Sequence, residues 1–577
     1  MNTSMNSENS VGRYTLVGHA SFMLCAMLAL MVLFTLARTA LYWHNAELAA
    51  LLPRSEVLTS FALGLRFDLM VVSIFSVPML LGFLWPQSQV LRKCLVVWLA
   101  VASSLSIFFC IAELDFYREF HQRLNSLVFE YIRQDPKTVV SMLWNGFPLF
   151  RYLLLWVFLS WVMYGVYNFL SNISCRWVQH KVSQRTPAPM IVRAVVSIVV
   201  MLALVLGARG TLRQGPPLRW GDAFHGQNLF ANHLGLNGIF TLYKATRTGN
   251  GKTNKNFWLN AMPLEKATAI TQELLLTPQD TLSDNKALAL LRTHQGNEKI
   301  AQRYKKKPNV VVILMESFSG VYTGALGNNL GITPSFDRIA QQGLLFSRFF
   351  SNGTHTHQGM FATFACFPNL PGYEYLMQEP EGTHKFSGLP LLLHREGYKN
   401  IYVYNGSFSW DNQEGFFRNQ DVTRFIGRDD FVNPVFINPT WGVSDQDMFD
   451  RSVVELNKMS GGDEPFFAML QTLSNHTPYA MPSPLPVQPV TNQGLLNEHL
   501  TAMRYADWAL GQFFEKIEKE PWYKDTIFVL VGDHGFGTNN QVTDIDLLRF
   551  RVPMLIIGPH VREIYGATTD RVTTQND

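Results

Sequence analysis

The stretch NVVVILMES, Asn309 to Ser317, is a near-continuous run of β-branched and aliphatic residues that stops at a Glu and a Ser. A run of this kind reads as a strand buried on both faces, as in parallel sheets covered by helices. Working outward, SFDRIAQQG (335–343) has helical spacing and a Gly stop, and LPLLLHREGYKNIYVYNG (389–406) reads as helix, Gly, strand. PFFAMLQTLSNH (465–476) is a strand running into a loop, and YADWALGQFFEKIEK (505–519) is an amphipathic helix. TIFVLVGDHG (526–535) and RVPMLIIGPH (551–560) complete the series. The alternation predicts a layered α/β domain with a largely parallel sheet. In such sheets, residues that do chemistry gather beyond the carboxyl ends of the strands.

The chain before this domain has a different texture. Apolar stretches at 16–42, 61–85, 94–111, 149–170 and 192–206 approach the roughly 20 residues needed to cross a hydrocarbon core. The first has no small-residue cleavage site behind a short apolar core, so it reads as an anchor. Arg66 and Asp68 inside the second stretch are costly in lipid. They imply either a pair facing protein or a span that begins after Asp68. Arg176, Lys181, Arg185 and Arg193 before the fifth stretch, and Arg92 and Lys93 after the second, place those loops in the cytoplasm. The N-terminus is then inside and everything after residue 206 outside. The segment DFYREFHQRLNSLVFEYIRQDP (115–136) fits a helix lying on the outer leaflet or one packed against the outer domain. GARGTLRQGPPLRWGDAF (207–224) reads as an ordered connector, followed by a helix over 263–276. The expected organisation is a transmembrane domain at 1–208, an extracytoplasmic linker at 209–307 and a catalytic domain at 308–577.

Composition agrees with a membrane protein. Only 16% of the 577 residues are charged and 47% are hydrophobic, against about a quarter charged in an ordinary soluble chain. A net charge of +4 is too small for this length to suggest nucleic acid as partner. Of the five cysteines, Cys25, Cys94, Cys110 and Cys175 lie in the apolar third and only Cys366 lies beyond it. No disulfide can therefore form within the C-terminal region, and no CxxC or Cys/His zinc pattern is present.

Two of the buried-looking strands end in metal-ligand types, Glu316 and the adjacent Asp533 and His534. Carboxylates with an imidazole suit a divalent cation. Each motif alone has a plainer reading, a helix cap or a loop hydrogen bond. Between them lies NGTHTHQG (352–359), a Gly-flanked turn carrying small hydroxyls. Thr356 there is a nucleophile if something lowers its pKa, or merely the hydroxyl that starts a helix.

In this order, strand-Glu, Gly-Thr-x-Thr turn, strand-Gly-Asp-His-Gly, the chain resembles the phosphoglycerol transferase and lipoteichoic acid synthase family of the alkaline phosphatase and sulfatase superfamily. The resemblance implies an alkaline-phosphatase-like α/β domain after a five-helix transmembrane bundle. It also implies one divalent metal, Mn²⁺ ahead of Zn²⁺ or Mg²⁺, held by Glu316, Thr356, Asp533 and His534, with Thr356 as nucleophile. His476 of SNHTPY is similar to a substrate-binding histidine that orients the phosphoryl group or protonates the leaving alkoxide, and otherwise is a loop histidine. Trp410 and Asn412 of YNGSFSWDNQEGFF match a glycerophosphate-contacting segment, with Asp411 contributing.

The implied reaction moves glycerophosphate from phosphatidylglycerol to a glycan or polymer of the cell envelope, with no nucleic acid involved. It runs outside the cytoplasmic (inner) membrane through a phosphothreonine. The chain departs from the family at His355 and His357, which could add ligands or tune the working pH. It also stops at TTQND where relatives continue, which implies a domain that runs on past Asp577. Three other readings compete. A phosphoethanolamine transferase would carry ectodomain disulfides, for which Cys366 has no partner. A sulfatase needs an Arg where Cys366-Phe-Pro-Asn-Leu370 has Leu. A silent lipid-binding protein of the same fold need bind no metal.

Overall fold

The computed structural model describes residues 16–181, 188–212, 217–248, 261–285, 289–537 and 546–577. Arg185 of the basic loop and residues 213–216 of the connector lie outside the described residues. The chain divides into two compact units. One holds the chain up to Val128 and Pro148–Arg247; the other takes Phe129–Phe147 and the chain that follows Arg247.

In the first unit five helices are long and apolar enough to cross a membrane: Leu16–His44, Arg54–Phe75, Gln89–Phe120, Leu149–Ser174 and Met190–Arg209. The first shows why they form. Phe22, Ala26, Leu30 and Phe34 make a buried row at four-residue spacing, while Leu24, Leu28, Val32 and Leu36 make an exposed row on the other side. A helix whose outward face carries Leu24, Leu28, Val32 and Leu36 is apolar where it is exposed, as a lipid-facing surface requires.

Asp68 lies within the second of these helices, so the span does not begin after it. Nor does Asp68 pair with Arg66. Its carboxylate takes a two-pronged bond from Arg38 of the first helix, at 2.8 and 2.9 Å, and a third bond from Asn237 at 2.8 Å. Residues two apart on a helix point to nearly opposite sides, which is why Arg66 cannot serve. Arg66 instead donates from Nε and Nη2 to the Gly210 carbonyl, at 3.3 and 3.2 Å. Gly64 makes room for the pair: a Cβ there would lie 2.2 Å from the Arg38 guanidinium carbon and would force Arg38 to shift. A second buried pair joins Arg123 to Glu113 through two bonds of 2.7 Å, with Arg123 also donating to the carbonyls of His233 and Leu236.

The second unit is built on an eight-stranded sheet. Its strands in chain order are β1 (Asn309–Met315), β2 (Leu344–Phe346), β3 (Lys399–Tyr404), β4 (Phe425–Ile426), β5 (Phe466–Gln471), β6 (Thr526–Gly532), β7 (Met554–Ile557) and β8 (Thr568–Thr569). Their spatial order is β8-β2-β7-β6-β1-β5-β3-β4, and only β7 runs against its neighbours. β1 lies at the centre, parallel to β5 on one side and β6 on the other. Its side chains alternate as a pleat requires. Val311, Ile313 and Met315 enter one core, shared with the helices Pro334–Ala340, Asp445–Met459 and Asn497–Ile517. Val312 and Leu314 enter the other, shared with Thr356–Ala365 and Gln413–Asn419.

The segment at 115–136 is not one helix: residues 115–120 continue the third apolar helix, Leu127–Arg133 form a short one, and its last two residues open a third that packs within the second unit. Asp135 caps a helix at Pro136–Gly146 by accepting from the Thr138 N–H at 2.9 Å, and Pro136 pre-sets its first turn. Met142 of that helix is buried in the second core, and Ser141 donates to the Pro439 carbonyl at 3.0 Å.

Candidate metal centre and active site

Register does the first part of the assembly. Met315 is level with Gly532, and Leu314 with Gln471, so the chain leaves β1, β6 and β5 at the same edge of the sheet. The next residues are Glu316, Asp533 and Thr472. Backbone and side-chain bonds then tie the three exits together. The Thr472 hydroxyl accepts from the Glu316 N–H at 2.8 Å, and Asp533 donates its N–H to Met315 at 3.1 Å. Asn475 donates to the carbonyls of Glu316 and Ser317 at 3.2 and 3.1 Å. Gln575 closes the back, donating to the Gly532 and Asp533 carbonyls at 3.0 and 2.7 Å.

Thr356 arrives from elsewhere. It is the first residue of the Thr356–Ala365 helix, so its hydroxyl stands at the positive end of the helix dipole. The helix can start here because residue 359 is Gly: a Cβ at that position would lie 2.4 Å from the Asp533 carbonyl oxygen. Thr356 Oγ1 then donates to Glu316 Oε2 at 3.1 Å.

Ligand atoms of Glu316, Asp533 and His534 lie within 4.8 Å of one another. His534 Nε2 is 3.7 Å from Glu316 Oε1 and 3.6 Å from Asp533 Oδ2. Three of the four carboxylate oxygens accept hydrogen bonds: Asp533 Oδ1 from the Ser317 and His534 N–H groups at 2.7 and 2.6 Å, Glu316 Oε1 from Ser317 Oγ at 2.9 Å, and Glu316 Oε2 from Thr356. Asp533 Oδ2 is buried and has no hydrogen-bond partner. Burial, and then the nearby Asp533, push Glu316 up to about 7; burial pushes Asp533 up to about 7 as well. Burial lowers His534. Two buried carboxylates and a neutral imidazole, with one carboxylate oxygen left over, fit a divalent cation.

The remaining predicted residues divide. His476 follows Asn475, which donates to the Glu316 carbonyl, and its ring packs 4.3 Å from that of Trp441. Trp441 in turn meets Trp410 edge-on at 4.9 Å, so His476 and Trp410 belong to one aromatic wall. The Asn412 side-chain amide donates to the Met377 carbonyl at 2.7 Å. Asp411 is buried, 3.6 Å from His357 Nδ1, and its Oδ1 accepts from Gln134 and Gln378 at 2.9 and 3.0 Å. His355 and His357 fall outside the three-residue cluster; burial holds His355 well below the ordinary imidazole value. Cys366 ends the helix that Thr356 begins, about 15 Å away at 1.5 Å per residue. That distance removes it from the cluster and with it the formylglycine reading. Ser317, Thr472, Gln575 and Trp441 were not legible, since a hydroxyl, an amide or an indole in a loop carries no pattern of its own. Gln134 lies 277 residues from Asp411, beyond any local signal.

The family model for sulfatases matches residues 308–577. These residues are a sulfatase domain of the alkaline phosphatase superfamily. Over 276 residues the chain is 23% identical to the lipoteichoic acid synthase-like protein YvgJ of Bacillus subtilis, covering 45% of this chain and 44% of that one. Over 296 residues it is 24% identical to lipoteichoic acid synthase 1 of the same organism, covering 47% and 45%. The chain thus spans less than half the length of the curated relatives it matches. In fold it is similar to the integral membrane lipooligosaccharide phosphoethanolamine transferase A of Neisseria meningitidis, with a TM-score of 0.54 at 14% identity. That likeness covers 96% of this chain and 93% of the other, so it takes in the apolar helices as well as the sulfatase domain.

Proposed function

We propose that the chain is a metal-dependent phosphoglycerol transferase of the cytoplasmic membrane, its sulfatase domain outside, with membrane, linker and catalytic parts at 1–208, 209–307 and 308–577. It would move glycerophosphate from phosphatidylglycerol to a hydroxyl of an envelope glycan or polymer. The observation that carries this is the Thr356 hydroxyl, 3.1 Å from Glu316 Oε2 beside Asp533 and His534.

In this reading Glu316, Asp533, His534 and Thr356 hold one cation, with Mn²⁺ preferred over Zn²⁺ or Mg²⁺. When bound, the cation lowers the pKa of the Thr356 hydroxyl and neutralises charge on the phosphoryl oxygens. Thr356 Oγ1, its proton given up to solvent before the first turnover, would form a bond to phosphorus as the bond from phosphorus to the diacylglycerol oxygen breaks, and would leave the second step as the same alkoxide. His476 gives the leaving oxygen its proton. It recovers one from the acceptor hydroxyl, which attacks the phosphothreonine and frees Thr356. The Trp441 and Trp410 wall next to His476 bounds the headgroup. Holding the domain at the lipid surface raises the donor's effective concentration.

The test is release of diacylglycerol by the full chain with Mn²⁺ and vesicles of phosphatidylglycerol or phosphatidylethanolamine. Release from phosphatidylglycerol is expected, and Thr356→Ala should lower it on the order of 10³-fold. Release that survives Thr356→Ala removes the nucleophile; release from phosphatidylethanolamine alone makes the chain a phosphoethanolamine transferase.

A further inference from the structure

Three arginines of the helical unit can be compared directly. Arg38 is neutralised by Asp68 and Arg123 by Glu113. Arg66 is not: its two bonds go to the neutral Gly210 carbonyl, and no carboxylate pairs with it among the described residues. Gly210 caps the C-terminus of the Met190–Arg209 helix, whose dipole offsets part of the charge; the guanidinium still lacks an ionic partner, and its cost falls further if an anion comes to it.

Arg66 also lines a cavity of about 890 Å³, bounded by the first, second and fifth apolar helices and Phe83. The walls are Leu, Met, Val and Ala side chains such as Leu24, Met27 and Val200. The cavity reaches from Gly210, beside Arg66, at least to Val200. Ten helical residues at 1.5 Å each make about 15 Å, half of a hydrocarbon core about 30 Å thick. Two other polar side chains lie on the wall: Thr211, at the Arg66 end, and Ser73, whose buried hydroxyl has no partner. An apolar slot one leaflet deep, with a cation at one end, is complementary to an acyl chain that carries a phosphate at its head.

We infer that this slot holds one phosphate-bearing diacyl lipid, an acyl chain against Leu24, Met27 and Val200 and the phosphate on Arg66. Its assignment to the outer leaflet, and so to the donor pool, rests on the transferase reading above; the slot and the unneutralised arginine do not. Diacylglycerol lacks the phosphate and so loses its hold on Arg66. The site therefore distinguishes a phospholipid from the lipid left after headgroup transfer.

The experiment measures retention of dioleoyl-phosphatidylglycerol and of dioleoylglycerol by the detergent-purified full chain, using native mass spectrometry. It is run in chelator and on Thr356→Ala, so that it does not depend on turnover. Phosphatidylglycerol is expected to bind about tenfold more tightly than diacylglycerol, with Arg66→Gln bringing the two level. Ala203→Phe fills the slot without touching Arg66 and should displace both lipids while leaving the melting temperature in place. Equal retention of both lipids by the wild type overturns the site, as does phosphatidylglycerol retention that Ala203→Phe leaves unchanged. If no headgroup transfer is ever observed but Arg66-dependent retention stands, the transferase reading fails and the lipid site survives.

Discussion

In the helical unit, Asp68 and Glu113 are each gripped by an arginine through two bonds, whereas in the sulfatase domain Glu316 and Asp533 have hydroxyl and N–H donors and a nearby imidazole but no arginine or lysine partner among the described residues. The first arrangement is complete. Asp68 has a third donor in Asn237, and Arg38 and Arg123 place their remaining bonds on backbone carbonyls. The second is left open, with both carboxylates pushed up to about 7 and Asp533 Oδ2 without a partner. Closed charge clusters hold helices in register; an open one holds a place for a cation. Equal burial thus marks structure in one region and chemistry in the other, and the difference lies in whether the charges already cancel.

The largest effect should come from opening the closed cluster. Arg38→Met leaves Asp68 buried with Asn237 alone and should cost about 3–5 kcal/mol in detergent unfolding, most of it recovered by adding Asp68→Leu. A cost below about 1 kcal/mol for the single change would mean that water or lipid already compensates these charges, and the contrast would fail.

A smaller effect of opposite sign is expected at the sulfatase site. Asp533→Asn keeps an oxygen for the Ser317 and His534 N–H groups while removing the repulsion of Glu316. The chelated protein should gain on the order of 1 kcal/mol at neutral pH and lose its stabilisation by Mn²⁺. The pH dependence follows from the same carboxyls, whose ordinary values are 4.5 for Glu316 and 3.8 for Asp533. Because folding raises both to about 7, the folded chelated domain holds more protons than the unfolded chain between those limits. Its stability therefore falls as pH rises through that window, and the full penalty is present above it. Mn²⁺ offsets the penalty, so the melting shift it produces should widen from about pH 5 to about pH 8. A shift that is flat or narrows with pH would place the metal elsewhere.

The smallest effect tests the support behind the site. Gln134→Leu leaves Asp411 with Gln378 and should cost about 1 kcal/mol, a roughly fivefold drop in transfer rate with the fold intact. No change in rate would make the Asp411–His357 contact irrelevant to turnover.

Much of the site could be read from the chain because parallel strands put chemistry at their carboxyl ends. Once NVVVILM and TIFVLVG are strands, Glu316 and Asp533 emerge at one edge. Thr356 was readable as a hydroxyl on a turn, but its approach to Glu316 depends on the close packing that Gly359 allows. The partner of Asp68 was misread because nearness in sequence suggested Arg66, and a helix turns such neighbours apart. The match of Asn412 to a headgroup contact meets an amide already bonded to Met377.

The sequence by itself determined five apolar stretches, an alternating α/β domain and the residue types at its strand ends, because hydrophobic period and length are local properties. Which arginine meets which carboxylate, which of three cations stays unpaired, and whether the inter-span helix belongs to the sulfatase domain were decided only in three dimensions. Those outcomes depend on contacts between residues tens to hundreds of positions apart, and nothing local in the chain encodes the distance between them.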